Sequence, residues 1–330
     1  MAEELGLNVS TVSRVLNSPG SDAGPWASPE TADRIRELAR RLSYAPNPQA
    51  ASLRTARSNF VGVIVPRLQD FVLATIYEGI EEAATERGLS AFVTNSLDVP
   101  ENQRARAGMM LKRRVDGLIF GDAHLDDPFL DELTERGVSF VLVSRHASTH
   151  IAVTCDDYVG GRLVAEHLLA TGRRDVAILA GLPFASTAQD RTRGVVDVYS
   201  EAGIQIPDTR IVFGEFDAAG GRAATETVLA SDTVPDAIFA TNDFAAFGAA
   251  GVLRDHNLHI PSDIALVGYN DTPLAAETLV PLTTVRSPMH QMGRRALENL
   301  HDQMNGKPTV SERLRPELIV RDSSGPASAG

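Results

Sequence analysis

The chain has 330 residues, 43% of them apolar and 22% charged, with a formal net charge of −12. That length accommodates two or three domains with sizeable cores, and the acidic balance excludes a protein whose whole surface clings to nucleic acid. A single cysteine, Cys155, excludes an internal disulfide framework, and no apolar run approaches the roughly 18 residues that span a bilayer. The opening MAEELGLNVS lacks the basic and apolar regions of a signal peptide, so the expected location is cytoplasmic, with no membrane partner. Charge is uneven along the chain. Residues 1–58 carry seven arginines against six acidic residues, and the remainder carries −13, so the total says little about a small head.

Up to Leu42 the pattern is one of short helices. Residues 2–5 read as helix, Gly6-Leu7-Asn8 breaks it, and residues 9–16 resume helical spacing. Residues 18–27, which include Trp26, read as a loop. Ser28 then caps a third helix with Pro29 at its first position, and Ile35, Leu38, Ala39 and Leu42 form its apolar face. Tyr44-Ala45-Pro46 ends that helix. Asn47-Pro48 opens a segment running to about Arg54, too short to be a stable helix alone.

From Phe60 onward, strands alternate with helices. Residues 60–65, 91–95, 117–120, 140–143, 176–180, 237–240 and 264–269 are β-forming runs, separated by helical stretches such as 76–87, 103–112, 160–170, 221–229 and 244–255. This alternation predicts parallel sheets covered by helices on both faces. About ten strands suit two doubly wound subdomains better than one, with a ligand at the carboxyl ends of the strands, in the cleft between them. The tail from Ser323 to Gly330, SSGPASAG, reads as disordered.

In the first helices, Ala2, Gly6, Val12 and Val15 supply the small residue, turn glycine and locking apolar residues of a helix-turn-helix. The second helix then exposes Ser10, Thr11, Ser13 and Arg14, with Asn17 at its end, as donors and acceptors for base edges and phosphates. The bare spacing fits an ordinary helical hairpin equally well.

The residues are more specific than the spacing. AEELGLNVSTVSRVLN followed by SPETADRIRELARRLSYAPNPQAASLR resembles the head and hinge of the LacI/GalR family of repressors, and VDGLIF, GRRDVAILAG, IFATNDFAAFGAAGVLRDHNLHIPSDIALVGYND, PLTTVRSP and LRPELIVRDSS extend the resemblance to about Ser324. The resemblance implies an all-α helix-turn-helix head plus an α/β body of periplasmic-binding-protein type. The implied boundaries are 1–45 for the head, 46–58 for a hinge and 59–322 for the effector and dimerisation domain, with 323–330 as tail. Within the body, one subdomain takes residues 59–156 plus 287–315 and the other 157–286 plus 316–322. Residues 9–16 become the recognition helix and 47–54 a hinge helix. In that hinge Leu53 wedges into the DNA minor groove and Arg54 follows it, an apolar wedge being a way to unstack and bend DNA. As residues alone, Leu53 also fits a buried position on a linker helix. Two departures stand out. The helix-turn-helix begins almost at Met1, which suggests a start upstream, and the loop 18–27 is longer than usual for the family.

By the same resemblance the effector pocket draws on Asp70 and Leu73 after the first strand, and on Ser144 and Arg145 after the fourth. It also takes Arg191 of an R-x-x-G segment as the ligand clamp, the aromatic Phe216, and Asn242, Asn270 and Asp271 after later strands. Ser144 and Asn270 stand where the family commonly has acidic residues, which leaves a sugar acid or sugar phosphate open beside a neutral sugar. Arg145 fits equally well as a surface charge paired to Asp156 or Asp157. The implied partners are a pseudo-palindromic double-stranded operator, a small sugar-like effector and a second copy of the chain, without a cofactor. An enzyme is not expected: there is no G-x-G-x-x-G after the first strand, no Walker loop and no G-x-S-x-G. His146 and His150 have metal-ligand spacing but sit in a probable loop, His256 and His259 close a helix, and Cys155 reads as core.

Overall fold

The computed structural model describes residues 1–17, 26–42, 44, 57–69, 71–231 and 233–325. Its contacts divide the chain into a head, Met1–Asn59, and a body, Phe60–Gly330.

In the head, α1 (Ala2–Leu5), α2 (Val9–Asn17) and α3 (Pro29–Arg41) are short, and each boundary has a local cause. Gly6 ends α1 in the left-handed region at φ 65°, which glycine adopts without strain. Asn8 Oδ1 accepts from the Ser10 amide at 2.9 Å, and Ser28 Oγ from the Thr31 amide at 3.3 Å, so α2 and α3 both start on side-chain caps. Val12 and Val15 are buried against Ala32 and Ile35, with Ala2, Leu5, Leu7 and Leu16 around them. Leu42 departs from expectation. It follows the end of α3 and is exposed, whereas Leu38 and Ala39 are buried. The hinge at 47–54 and loop residues 18–25 lie outside the described residues.

The body is built on two six-stranded sheets. The first contains β1 (Phe60–Val65), β2 (Ser90–Asn95), β3 (Gly117–Phe120), β4 (Phe140–Val143), β5 (Ala152–Cys155) and β11 (Glu312–Leu314), in the order β11-β5-β4-β3-β1-β2, every pair parallel. The second contains β6 (Val176–Gly181), β7 (Ile211–Phe213), β8 (Ala237–Ala240), β9 (Ala265–Asn270), β10 (Thr283–Arg286) and β12 (Glu317–Ile319), in the order β12-β10-β9-β8-β6-β7, where β10 with β12 is antiparallel. Strands such as β6, VAILAG, are buried along their whole length, and that is why they read as continuous apolar runs rather than alternating ones.

Helices α4 (Phe71–Glu86), α5 (Pro100–Lys112), α6 (Pro128–Glu135) and α11 (Met289–Met304) serve the first sheet; α7 (Asp157–Ala170), α8 (Ser186–Glu201), α9 (Ala218–Leu229) and α10 (Asp243–Asp255) serve the second. Paired glycines set two of the helix crossings. A Cβ on Gly79 or Gly293 would run into the facing backbone of α11 or α4, and Gly161 and Gly194 do the same for α7 and α8. Both sheets reverse direction of strand order at their first strand, β1 and β6, the point at which such sheets open a crevice for ligands.

The short strands β5, β7, β10, β11 and β12 went unread in the sequence. The last two carry three residues each and exist because they pair with an existing edge. The tail needs correction at its start. Ser323 and Ser324 are buried in a 3-10 turn, Asp322–Ser324; Ser323 Oγ donates to the Leu266 carbonyl at 2.6 Å and accepts from the Thr283 amide at 2.8 Å. Small polar residues suit this seam because each supplies hydrogen bonds without demanding volume.

Candidate functional site

On the head, Ser10, Ser13, Arg14 and Asn17 recur at the i, i+3, i+4, i+7 spacing of one helical face. Ser10, Ser13 and Arg14 are exposed and Thr11 is half-buried. Ser10 Oγ lies 2.8 Å from Asn8 Oδ1, so this hydroxyl also serves the cap. The Arg14 guanidinium sits 4.2 Å from the centre of the Trp26 ring, so the long loop delivers an aromatic platform to a candidate DNA reader. Leu53 and Arg54 lie outside the described residues, as does Asp70.

In the body, a cavity of about 270 Å³ opens at the carboxyl ends of both sheets. Leu73, Ser144, Arg145, Arg191, Phe216, Asn242 and Asn270 all line it, so seven of the nine pocket residues read from the sequence converge. Asp271 does not. Its Oδ1 accepts from Arg321 at 2.6 Å and its Oδ2 from Arg286 at 2.8 Å, which ties β9 to its neighbours.

Two buried arginines dominate the walls, and each is already held. Arg191 donates from Nε to Asp157 at 2.8 Å and from Nη1 to the Thr241 carbonyl at 2.6 Å, while its guanidinium lies 3.7 Å from the Tyr269 ring centre. Burial pushes the Asp157 carboxyl up, and the Arg191 charge beside it opposes that shift. Arg145 makes a two-pronged pair with Asp98, at 2.6 and 3.2 Å, and is 5% exposed. It is therefore no surface charge, and its partner is neither Asp156 nor Asp157. Asp156 instead caps α7 by accepting from the Val159 amide.

Asn242 is equally committed. It caps α10 by accepting from Ala245 at 2.7 Å, and its amide donates to the Phe216 carbonyl at 2.7 Å. Asn270 is different: it is 4% exposed, sits at φ 107°, and its Oδ1 is buried with no hydrogen-bond partner. A buried, unsatisfied acceptor costs about 1–3 kcal/mol unless something fills it. Phe216 closes one side, resting over Gly181, where a Cβ would collide with its ring.

The lobes meet beside this cavity. His146 donates its amide to Ser186 Oγ at 2.9 Å, and its ring lies 2.8 Å from Asp190. Phe71 stacks near Phe244 at 6.2 Å, and His124 on Phe184 at 3.9 Å. His150 is directed to Asp131, so the two histidines at metal-like spacing take separate carboxylates. Cys155 is buried beside the Tyr269 hydroxyl, and burial pushes its thiol up to about 12, far from nucleophilic use.

Sequence reasoning missed Asp98, Asp157, Tyr269 and Phe244. Phe244 follows two residues after the Asn242 cap, a first-turn position that faces the same crevice and could have been read. Asp98 lies 47 positions from Arg145, and no local pattern joins them.

Comparison with known proteins gives three kinds of likeness. A model described as "Periplasmic binding protein-like domain" matches residues 165–324. The HTH-type transcriptional regulator CelR of Thermobifida fusca is 32% identical over 329 residues, covering 96% of this chain and 95% of that one. Among solved structures, a CelR–cellobiose complex is similar at TM-score 0.75 and 29% identity, covering 98% of both chains. A lac repressor dimer bound to operator and an anti-inducer is similar at TM-score 0.88 and 26% identity, covering 98% of this chain and 97% of that one.

Proposed function

The chain belongs to the LacI/GalR family of transcriptional regulators, and from that premise we propose a repressor that binds its operator as a homodimer and changes affinity when a small, neutral, polyhydroxylated ligand fills the cavity of the body. The observation that carries the ligand reading is Asn270 Oδ1, a buried acceptor on the cavity wall that a ligand hydroxyl satisfies. Charge favours a neutral ligand. Arg145 and Arg191 are each paired with an aspartate, and Glu215 and Asp217 also line the cavity, so the one further guanidinium on its lining, the exposed Arg67, is outnumbered by carboxylates. Cellobiose in the CelR complex is such a neutral sugar. Phe216 and Phe244 supply apolar faces for a pyranose ring, and Leu73, Ser144 and the remaining Arg191 donors complete the wall. The two buried arginines are bound by Asp98 and Asp157, an arrangement suited to holding a ligand rather than turning it over.

On the DNA side, α2 enters the major groove, with Ser10, Thr11, Ser13, Arg14 and Asn17 toward bases and phosphates. Leu53 and Arg54 meet the minor groove at the centre of a pseudo-palindrome. A ligand that touches both lobes shifts their equilibrium, and the hinge transmits that shift to operator affinity.

The test is a fluorescence-anisotropy titration of duplex DNA from the gene's own upstream region against random duplex, with a panel of neutral sugars and their phosphates. The expected result is specific binding that one neutral sugar shifts by roughly fivefold or more. Asn270→Ala should keep operator binding and lose that response. A sugar response retained in Asn270→Ala removes the ligand reading, and equal affinity for specific and random DNA removes the repressor reading.

A further inference from the structure

A second cavity, of about 520 Å³, lies in the first lobe between the start of α5 and the loop from β3 to α6. Its lining is one-sided in charge. Asp98, Glu101, Asp122, Asp126 and Asp127 line it against a single arginine, Arg104. Arg104 is itself clamped by both carboxylate oxygens of Glu132 and lies 4.6 Å from the Phe129 ring centre, and Asp98 is held by Arg145. Those two ion pairs cancel in the balance and leave Glu101, Asp126 and Asp127 as three negative charges beside Asp122. Helices α5 and α6 begin at the rim, and their N-terminal dipoles, about half a positive charge each, offset only a minor part of that charge.

The decisive group is Asp122. It is 1% exposed, its Oδ1 accepts from Gln103 at 3.2 Å, and its Oδ2 is buried with no hydrogen-bond partner. A carboxylate oxygen in that state is costly unless a donor reaches it. Burial pushes the carboxyl up to about 7, against the pull of Ser96 and Gln103. The neighbouring His124 is pushed down by burial, so it supplies no compensating charge.

We propose that this cavity is a binding site for a small organic cation, an alkylammonium, whose nitrogen meets Asp122 and the surrounding carboxylates. Three features select this class. The balance of charge calls for a cation. Val99, Pro100, Pro128 and Phe129 give apolar surface for an aliphatic stem. Among the described residues no three histidine, cysteine or acidic side chains converge as metal ligands, which disfavours a bare divalent ion. The site also has a route to the first cavity, because Asp98 lines both and is the partner of Arg145. An ammonium beside Asp98 competes for the charge that holds Arg145 in place.

Isothermal calorimetry on the full chain tests this, with 1,4-diaminobutane as the probe and 1,4-butanediol and magnesium chloride as controls. The diamine is expected to bind with one site per chain, and the diol and magnesium not to compete. Asp122→Asn keeps the shape and removes the charge, and should weaken diamine binding about tenfold or more. The exposed Glu101→Gln and Asp126→Asn, at no risk to the core, should each weaken it several-fold. Nα-acetyl-lysine amide distinguishes a free amine from a lysine side chain of a partner: tighter binding than the diamine assigns the site to a partner's lysine. No binding of either amine at millimolar concentration overturns the proposal. So does diamine binding unchanged in all three variants, or its displacement by magnesium. Sugar binding in the first cavity is measured separately and bears on neither outcome.

Discussion

The head and the body solve recognition in opposite ways. On α2 the candidate readers Ser10, Ser13 and Arg14 are exposed and held by local contacts: a cap bond for Ser10, an aromatic ring for Arg14. In the body the candidate ligand groups Arg145, Arg191, Asn242 and Asn270 are 4–6% exposed, and the first three are tied by two protein bonds each. A large polyanion can come to an exposed face and bring its own attraction. A small neutral ligand gains little from any one contact, so its site must be built beforehand, and orientation is set by buried polar groups. The same kind of substitution should therefore read out as stability in the body and as binding in the head.

Arg191→Met gives the largest expected effect. It strands Asp157 in a buried site, and removal of one partner of such a pair typically costs about 3–5 kcal/mol. The sign of the pH dependence follows from Asp157, whose carboxyl burial already pushes up and which loses its only opposing charge. A folded-state pKa raised above the unfolded value means that the folded state holds the proton more tightly. Stability is then best at acid pH and falls as pH rises past the ordinary carboxylate range. Urea unfolding at pH 5 and pH 8 should show the greater loss at pH 8, and Arg191→Met combined with Asp157→Leu should recover much of it. Equal losses at both pH values would mean that the arginine acts by packing on Tyr269 instead.

The head has its own small core, and Ile35→Ala attacks it. Ile35 is fully buried, and truncation to alanine in a core costs about 2–5 kcal/mol. Among the described residues, Val12, Val15 and Ala32 are the other buried members of its cluster, with smaller or half-buried residues such as Ala2, Leu5 and Leu16 around them, so this head has little in reserve. Operator binding should be lost while the thermal transition of the body stays where it was. A common downward shift of both would show that the two units unfold together.

What could be read in the sequence divides along the same line. The head was legible because caps and turns are local: Gly6, Asn8, Ser28 and Pro29 act within a few residues of themselves. The longer parallel strands, such as β1 and β6, were legible as apolar runs, and a ligand at the strand ends followed from them, but Leu73, Ser144, Arg191, Phe216 and Asn270 were named only through the resemblance to the LacI/GalR family. The pairing of the charges was not legible. Asp98 with Arg145 and Asp157 with Arg191 are joined only by the closure of the fold, and an arginine that looks like a ligand clamp differs from a neutralised one only by that partner. Asp271, one residue beyond Asn270, shows the same limit: at φ 107° and 52° the two residues turn their side chains to different tasks.

The smallest effect tests whether the head's exposed face is as loosely held as the comparison says. Arg14→Ala removes the guanidinium, and loss of a bidentate base contact costs about 1–3 kcal/mol in operator affinity. If Arg14 instead meets a phosphate, the loss is uniform across DNA sequences and the salt slope falls by about one. Trp26→Ala leaves that guanidinium in place and removes the ring 4.2 Å beneath it. An exposed cation–π contact is worth about 0.5–1 kcal/mol, or roughly a two- to fivefold loss of affinity if the ring prepositions Arg14 for DNA. The double variant discriminates. If Trp26 acts through Arg14, Trp26→Ala adds nothing to Arg14→Ala, whereas independent losses that add would make the tryptophan a DNA contact in its own right. Either way the melting of the body should not move, and that would separate a face held for an incoming partner from a cavity built into the core.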